Sequence, residues 1–210
     1  MRRTAATPLL SACALVLLAG CGGTEEQPAA SAEADTTALA GSATADDDGL
    51  EVALVDPEGT EVGTVTLAEA DGGTEVTVEV DGLPPGFHAF HVHAIGACEP
   101  DSASPTDPAM TGDFLSAGGH LGAGEADHGE HQGDLPSLFV AASGTGSLTA
   151  VTDALTLSDL TDEDGSAVMV HADRDNYANI PDRYAAGGPD EMTRNTGDAG
   201  GRIACGLIEG

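Results

Sequence analysis

The sequence contains no lysine, and its six basic side chains, all arginine, stand against 36 acidic residues. The formal net charge is -30 at pH 7. A surface of that sign repels nucleic-acid phosphates and anionic lipid headgroups, which excludes nucleic-acid binding as a function. There is no C-x-x-C pair to suggest a cysteine-based zinc site, and no HExxH to suggest a zinc hydrolase. No segment carries a sustained helical apolar period, which argues against a helical bundle.

What is present begins with an address. Arg2 and Arg3 precede an apolar run from Pro8 to Leu18, and Leu18-Ala19-Gly20-Cys21 has the small-residue pattern of a bacterial lipoprotein cleavage site. The run is too short and wrongly flanked for a membrane-spanning helix. Residues 1–20 therefore read as a lipoprotein signal peptide, with Cys21 as the lipidated N-terminus of the mature chain. An ordinary secretory cleavage is the alternative, and it leaves Cys21 without a role. A lipid on Cys21 would anchor the protein to the cell membrane on its extracytoplasmic side. Residues 22–49 show no hydrophobic periodicity and few large apolar side chains, so residues 21–49 read as lipidated cysteine plus a disordered acidic tether. The domain is expected over residues 50–210.

Of four cysteines, Cys13 leaves with the signal and Cys21 takes lipid, which leaves Cys98 and Cys205. In an exported chain these two pair by default, and metal ligation by cysteine is the alternative. From Leu50 the character is that of short strands. LEVALVD, EVGTVTLAE and TEVTVEV are separated by turns at Pro57-Glu58-Gly59 and Asp71-Gly72-Gly73, and PSLFVAA, GSLTAVTDALTL, SAVMVHA and RIACGLI follow. Two long loops interrupt them, Glu99 to Gly119 and Tyr177 to Gly200, and loops of that length in a compact domain are usually functional or disordered. TDEDG at 161–165 reads as a solvated acidic turn. The fold class is all-β, an antiparallel sandwich or barrel.

GFHAFHVHAIGAC, residues 86–98, carries three of the seven histidines. In a strand, residues two apart share a face, so His91 and His93 project together while His88 and Phe90 fall on the other parity. A lone histidine would read as ordinary strand decoration. Two at period two, with His120, His128, His131 and His171 downstream, point to a metal site.

That segment, GGH followed by HGEHQGDLPSL, then MVHADRD and TGDAGGRIACGLI, resemble the signature segments of copper–zinc superoxide dismutases, in the family's order, from about residue 50 to the end. The lipoprotein start and the Pro-rich loop before His120 resemble the bacterial extracytoplasmic branch. The resemblance implies a Greek-key β-sandwich or barrel with two long functional loops, copper and zinc as cofactors, and superoxide as the substrate, converted to oxygen and hydrogen peroxide outside the cytoplasm. It implies copper on His91, His93, His120 and His171, and zinc on His120, His128, His131 and Asp134, with His120 shared. It further implies Asp175 as acceptor from one histidine of each set, a Cys98–Cys205 disulfide, Arg202 holding the anion beside copper, His120 as proton donor, and His88 as structural.

One departure stands out. Only Gly129 and Glu130 separate His128 from His131, where the family has a longer segment, so the loop must bend differently. Glu125, Asp127 and Glu130 are nearby oxygen donors, more simply read as solvated loop acids. Arg174, Arg183, Arg194 and Arg202 all lie in one stretch that the resemblance places at the rim of the copper channel, where they would focus the field for an anionic substrate. Chance clustering is the alternative, chiefly for Arg174 and Arg183. A lipoprotein that buffers copper or zinc on the same fold is the competing function. Arg202 and a fourth copper histidine at 171 favour the enzyme, and nothing in the sequence indicates an oligomer.

Overall fold

A computed structural model of the chain describes residues 44–46 and 49–210. The expected signal peptide, Cys21 and most of the expected tether lie outside the described residues. Three strands form a meander: β2 (Gly49–Val55), β3 (Glu61–Ala70) and β4 (Gly73–Val80). In β4 the buried Thr74, Val76, Val78 and Val80 alternate with Glu75, Thr77 and Glu79, which is the period-two pattern of a strand with one wet face. Ala70 pairs with Gly73 across the two-residue turn Asp71-Gly72, with Gly72 at φ +99°. That left-handed backbone favours glycine. Preceding them, β1 (Thr44–Asp46) pairs antiparallel with β2. This described strand falls inside the segment expected as tether.

The remaining strands are β5 (Gly86–His88), β6 (Phe90–His93), β7 (Ser102–Ala103), β8 (Thr111–Gly112), β9 (Leu138–Val140), β10 (Gly146–Thr152), β11 (Ser166–His171) and β12 (Arg202–Ile208). The main sheet runs in the order β5-β9-β10-β4-β3-β2-β12-β11-β6, with antiparallel pairs throughout. Its two end strands, β5 and β6, are joined by Ala89 alone, so the chain itself nearly closes the barrel. Val52, Leu67, Val78, Phe90, Leu138 and Val168 belong to the main apolar core. Cys98, Phe114, Ala117, Met169 and Cys205 belong to a second cluster beneath the first long loop.

Two expectations shift in detail. The histidine strand breaks at Ala89, whose N–H donates to Asp173 O at 2.8 Å and whose carbonyl accepts from His171 N at 2.9 Å. This exchange moves the chain from β9 to β11. The strand expected over GSLTAVTDALTL stops at Thr152, and Leu157–Leu160 forms one helical turn, α1, entered through Thr156 N donating to the Asp159 carboxylate at 2.7 Å. A second short helix, α2 (Glu191–Thr196), sits in the second long loop, capped by Asp190 accepting from Thr193 N. Helices this short leave no 3.6-residue period to read. No helix among the described residues is long and apolar enough to cross a membrane.

Cys98 and Cys205 form a disulfide across 107 residues of chain and tie the first long loop to β12. Because a crosslink over so long a loop restricts the unfolded ensemble strongly, the C98S/C205S variant should lose about 3–5 kcal/mol of unfolding free energy. Denaturant unfolding of the metal-free protein checks this, and an unshifted midpoint would contradict it.

Candidate metal centre

The centre is built on β6. One edge of this strand pairs with β11, which sets His91 opposite Met169 and His93 opposite Ala167. No strand among the described residues pairs with its other edge. There, Val92 N donates to Gly133 O at 2.8 Å, Leu121 N to Val92 O at 2.9 Å, and Ala94 N to Gly119 O at 3.0 Å. Isolated bridges then set His93 against His120 and His91 against Asp134. This approach requires glycine at 133, where a Cβ would lie 2.2 Å from Val92 O. Backbone pairing of a strand edge thus delivers two loop residues to two strand histidines. His171 arrives from the end of β11, at a register shift between Val170 and His171.

His91, His93, His120 and His171 present donor atoms that all lie within 4.8 Å of one another. The Nε2 atoms of His93 and His171 are 3.3 Å apart, while their Nδ1 atoms face Gly118 O at 3.0 Å and Gly200 O at 3.4 Å. His91 Nε2 donates to Asp175 Oδ2 at 2.8 Å. Its Nδ1 is buried without a hydrogen-bond partner.

A second set converges on Asp134. Its Oδ1 lies 3.0 Å from His120 Nδ1, 3.0 Å from His128 Nδ1 and 3.5 Å from His131 Nδ1. His131 Nδ1 is also 3.3 Å from His120 Nδ1. His91, His120, His128 and Asp134 make a mutually close group as well. His131 lies beside this group, its Nδ1 turned to Asp134 and His120 and its Nε2 3.1 Å from Ala126 O. His120 belongs to both sets.

The two-residue spacer between His128 and His131 is accommodated by winding the chain around Asp134. Asp134 Oδ2 accepts from Gly129 N at 2.6 Å and His131 N at 3.0 Å, with Gly129 at φ +92°. Outside the turn, His128 N donates to Arg194 O at 2.7 Å and His128 Nε2 to Asp175 Oδ1 at 2.7 Å. Asp175 therefore joins a histidine of each set. Glu125, Asp127 and Glu130 are exposed, as solvated loop acids are.

Burial lowers the pKa of His91, and pushes His93 and His171 well below the ordinary imidazole value, aided in both by positive neighbours that include Arg202. Burial likewise takes His120 down to about 4 against the opposing pull of Asp134. These imidazoles are neutral at pH 7 and offer lone pairs. For His128 burial also acts downward, but hydrogen bonds and charge from Asp134 and Asp175 outweigh it and raise the pKa to about 9. Asp134 and Asp175 are held well below the carboxylate range, where burial is overcome by hydrogen bonds from histidine.

This donor set fits a metal pair. Six histidines are buried together. The inward Nδ1 of His91 lacks a hydrogen-bond partner, and a buried polar atom left so costs about 1–3 kcal/mol. Imidazole suits both copper and zinc, and the set with a carboxylate suits zinc.

Arg202 is built into the first set's rim. Its Nη1 donates to Phe114 O and its Nη2 to Gly118 O. Burial lowers its pKa to about 10, which still leaves it charged at neutral pH. Arg194 is engaged elsewhere, donating to Pro189 O and lying 3.8 Å from Asp127. Arg183 lies over the Tyr184 ring. His88 is in neither set: its ring nitrogens lie 2.7 Å from His171 O and 2.7 Å from Pro84 O.

Sequence reasoning missed the close-approach glycines and the carbonyls. A Cβ on Gly197, at φ +59°, would sit 2.1 Å from Asp175 Oδ1 and 2.3 Å from His128 Nε2, so this glycine admits the Asp175–His128 contact. Gly133 and Gly197 do lie within the family-like segments, and that is their only signal. Gly118 lies in the GGH segment in the same way, and the Phe114 carbonyl has no such signal.

A nearly closed antiparallel barrel that presents two donor sets sharing one imidazole is an arrangement suited to a pair of metal ions. The comparisons agree. The copper/zinc superoxide dismutase family model matches residues 61–208, and the chain belongs to that family. It is 51% identical over 131 residues to a copper–zinc superoxide dismutase of Mycolicibacterium paratuberculosis, covering 60% of this chain and 57% of that one. To the same-named protein of Mycobacterium tuberculosis it is 48% identical, covering 60% and 54%. The chain thus spans a little over half the length of these relatives. The solved copper/zinc superoxide dismutase from Brucella abortus superposes with a TM-score of 0.60 at 34% identity, over 76% of this chain and 98% of that one. A dismutase-like protein from Bacillus subtilis gives 0.57 at 30%, over 75% and 96%.

The raised pKa of His128 has a measurable consequence. In the metal-free protein His128 carries its proton at pH 7, and a metal on its Nδ1 must displace it. Zinc binding at pH 7 should therefore release about one proton, and zinc affinity should climb with pH until about 9, then level off. Calorimetry in buffers of different ionisation enthalpy checks this, and zinc uptake without proton release would contradict it.

Proposed function

We propose that the chain is a superoxide dismutase, turning two superoxide ions and two protons into oxygen and hydrogen peroxide. His120 carries the reading. Its Nδ1 is committed to the Asp134 side, while its ring centroid lies 4.1 Å from that of His91 and 5.0 Å from that of His93. In this reading His91, His93, His120 and His171 hold copper, and His120, His128, His131 and Asp134 hold zinc. Bound at the first set, copper would supply one-electron redox chemistry, and zinc at the second would supply fixed positive charge beside His120.

The chain's own groups do the rest. Arg202, fixed by two carbonyls and still charged, attracts the anion and holds it beside the first set. His120 Nε2 takes a proton in one half of the cycle and gives it to the departing peroxide in the other, and water supplies the second proton. Asp175 keeps the His91 and His128 rings aimed by holding the outer nitrogen of each. Field focusing rests on Arg202, because Arg194 is turned toward Asp127.

We place this activity outside the cytoplasm, on a lipid anchor at Cys21. The basic n-region, the apolar run and the small residues before Cys21 support this, as does a disulfide of the kind that persists in oxidising compartments.

Purified protein loaded with copper alone, then with copper plus zinc, should show high dismutase activity once it holds one copper and one zinc per chain. Tight copper binding without activity in either sample would favour a metal-buffering lipoprotein instead. Separately, a Cys21→Ser variant should move from the membrane fraction to the soluble fraction, and unchanged fractionation would remove the anchor.

A further inference from the structure

The short spacer between His128 and His131 leaves a question of orientation. The turn around Asp134 uses backbone amides of Gly129 and His131, and neither fixes the plane of the His128 ring. That ring must be aimed from the opposite loop. We propose that Tyr177 is the positioning residue that clamps His128, and so sets the affinity and geometry of the zinc-side set. This rests on the reading of that set as a zinc site.

Tyr177 meets the set at four points. Its amide N donates to Asp175 Oδ1 at 2.7 Å, the same oxygen that accepts from His128 Nε2. Its ring lies nearly parallel to the His128 ring, 12° apart in plane, offset, with centroids at 6.3 Å, within the range of aromatic pairing. Its carbonyl crowds the turn between the two histidines, since a Cβ on Gly129 would stand 2.9 Å from it. Its hydroxyl lies 2.9 Å from both the N and the Oγ of Ser137, three residues past Asp134.

One side chain thus joins the segment holding Asp175 to the segment holding Asp134, with His128 between them. The backbone supports the same conclusion. Tyr177 and Ala178 sit at φ +53° and +50°, consecutive left-handed conformations in residues that carry a Cβ. Such conformations are disfavoured and persist only where surrounding contacts hold them. Here they turn the amide toward Asp175 while the ring reaches back over His128.

The test uses the whole chain with its first set filled with copper. Zinc affinity is measured by competition with a chromophoric chelator, and cobalt(II) at the second set reports geometry through its visible absorption. Tyr177→Phe removes only the hydroxyl anchor to Ser137 and should weaken zinc severalfold. Tyr177→Leu also removes the ring and should weaken zinc roughly 10- to 100-fold, the usual cost of losing a group that orients a ligand. Both should shift the cobalt bands and leave copper affinity within about twofold, on the same scale of ligand-supporting effects. Ser137→Ala combined with Tyr177→Phe should cost less than the sum of the two.

Unchanged zinc affinity and cobalt spectrum, even with a lowered melting temperature, would overturn the proposal. Equal losses of copper and zinc would also overturn it. A wild-type chain that takes up neither zinc nor cobalt would instead defeat the zinc reading itself, and the clamp with it.

Discussion

Every part of the centre depends on how the outer edge of β6 is satisfied. An unpaired strand edge exposes donors and acceptors that must find partners. Here the partners come from the loop segments around Gly119, Leu121 and Gly133 rather than from a strand. The hydrogen bonds that finish the sheet are the same ones that bring His120 and Asp134 to His93 and His91. Fold stability and site assembly are therefore one set of interactions, and the glycine at 133 serves both.

Electrostatics is organised on two scales. The whole surface is strongly negative, yet the buried cluster around His120 is arranged one contact at a time. Neutral imidazoles face one another on one side. On the other side two depressed carboxylates, Asp134 and Asp175, hold a proton on His128 in the metal-free state. Arg202 touches this arrangement through the Gly118 carbonyl, which also faces Nδ1 of His93. One peptide oxygen thus sets both a strand histidine and the cation beside it.

Much of this was legible in the sequence. Period-two alternation marked β4 and, more loosely, β2, short apolar runs between turns and loops marked β3, β11 and β12, and the histidine spacing with the family-like segments named the residues that the structure brings together. What stayed hidden has physical reasons. The break at Ala89 is made by hydrogen bonds to residues more than 80 positions away. α1 and α2 are shorter than the window in which a helical period can be seen. The turn on Asp134 depends on backbone amides, which every residue but proline has, so no pattern of side chains announces it. Gly197 and the Phe114 and Gly118 carbonyls act by allowing or offering contact, and tertiary packing alone reveals that.

The position of β12 has a consequence for the order of events in the life of the molecule. The last strand in sequence lies in the middle of the sheet, between β2 near the start and β11, and it carries both Arg202 and Cys205. Pairings between such distant parts of a chain form late. Without β12 the six clustered histidines have neither the Arg202 rim nor the disulfide that ties the first long loop to the sheet. The finished centre thus depends on pairing across the length of the domain, and the local histidine segments alone do not make it.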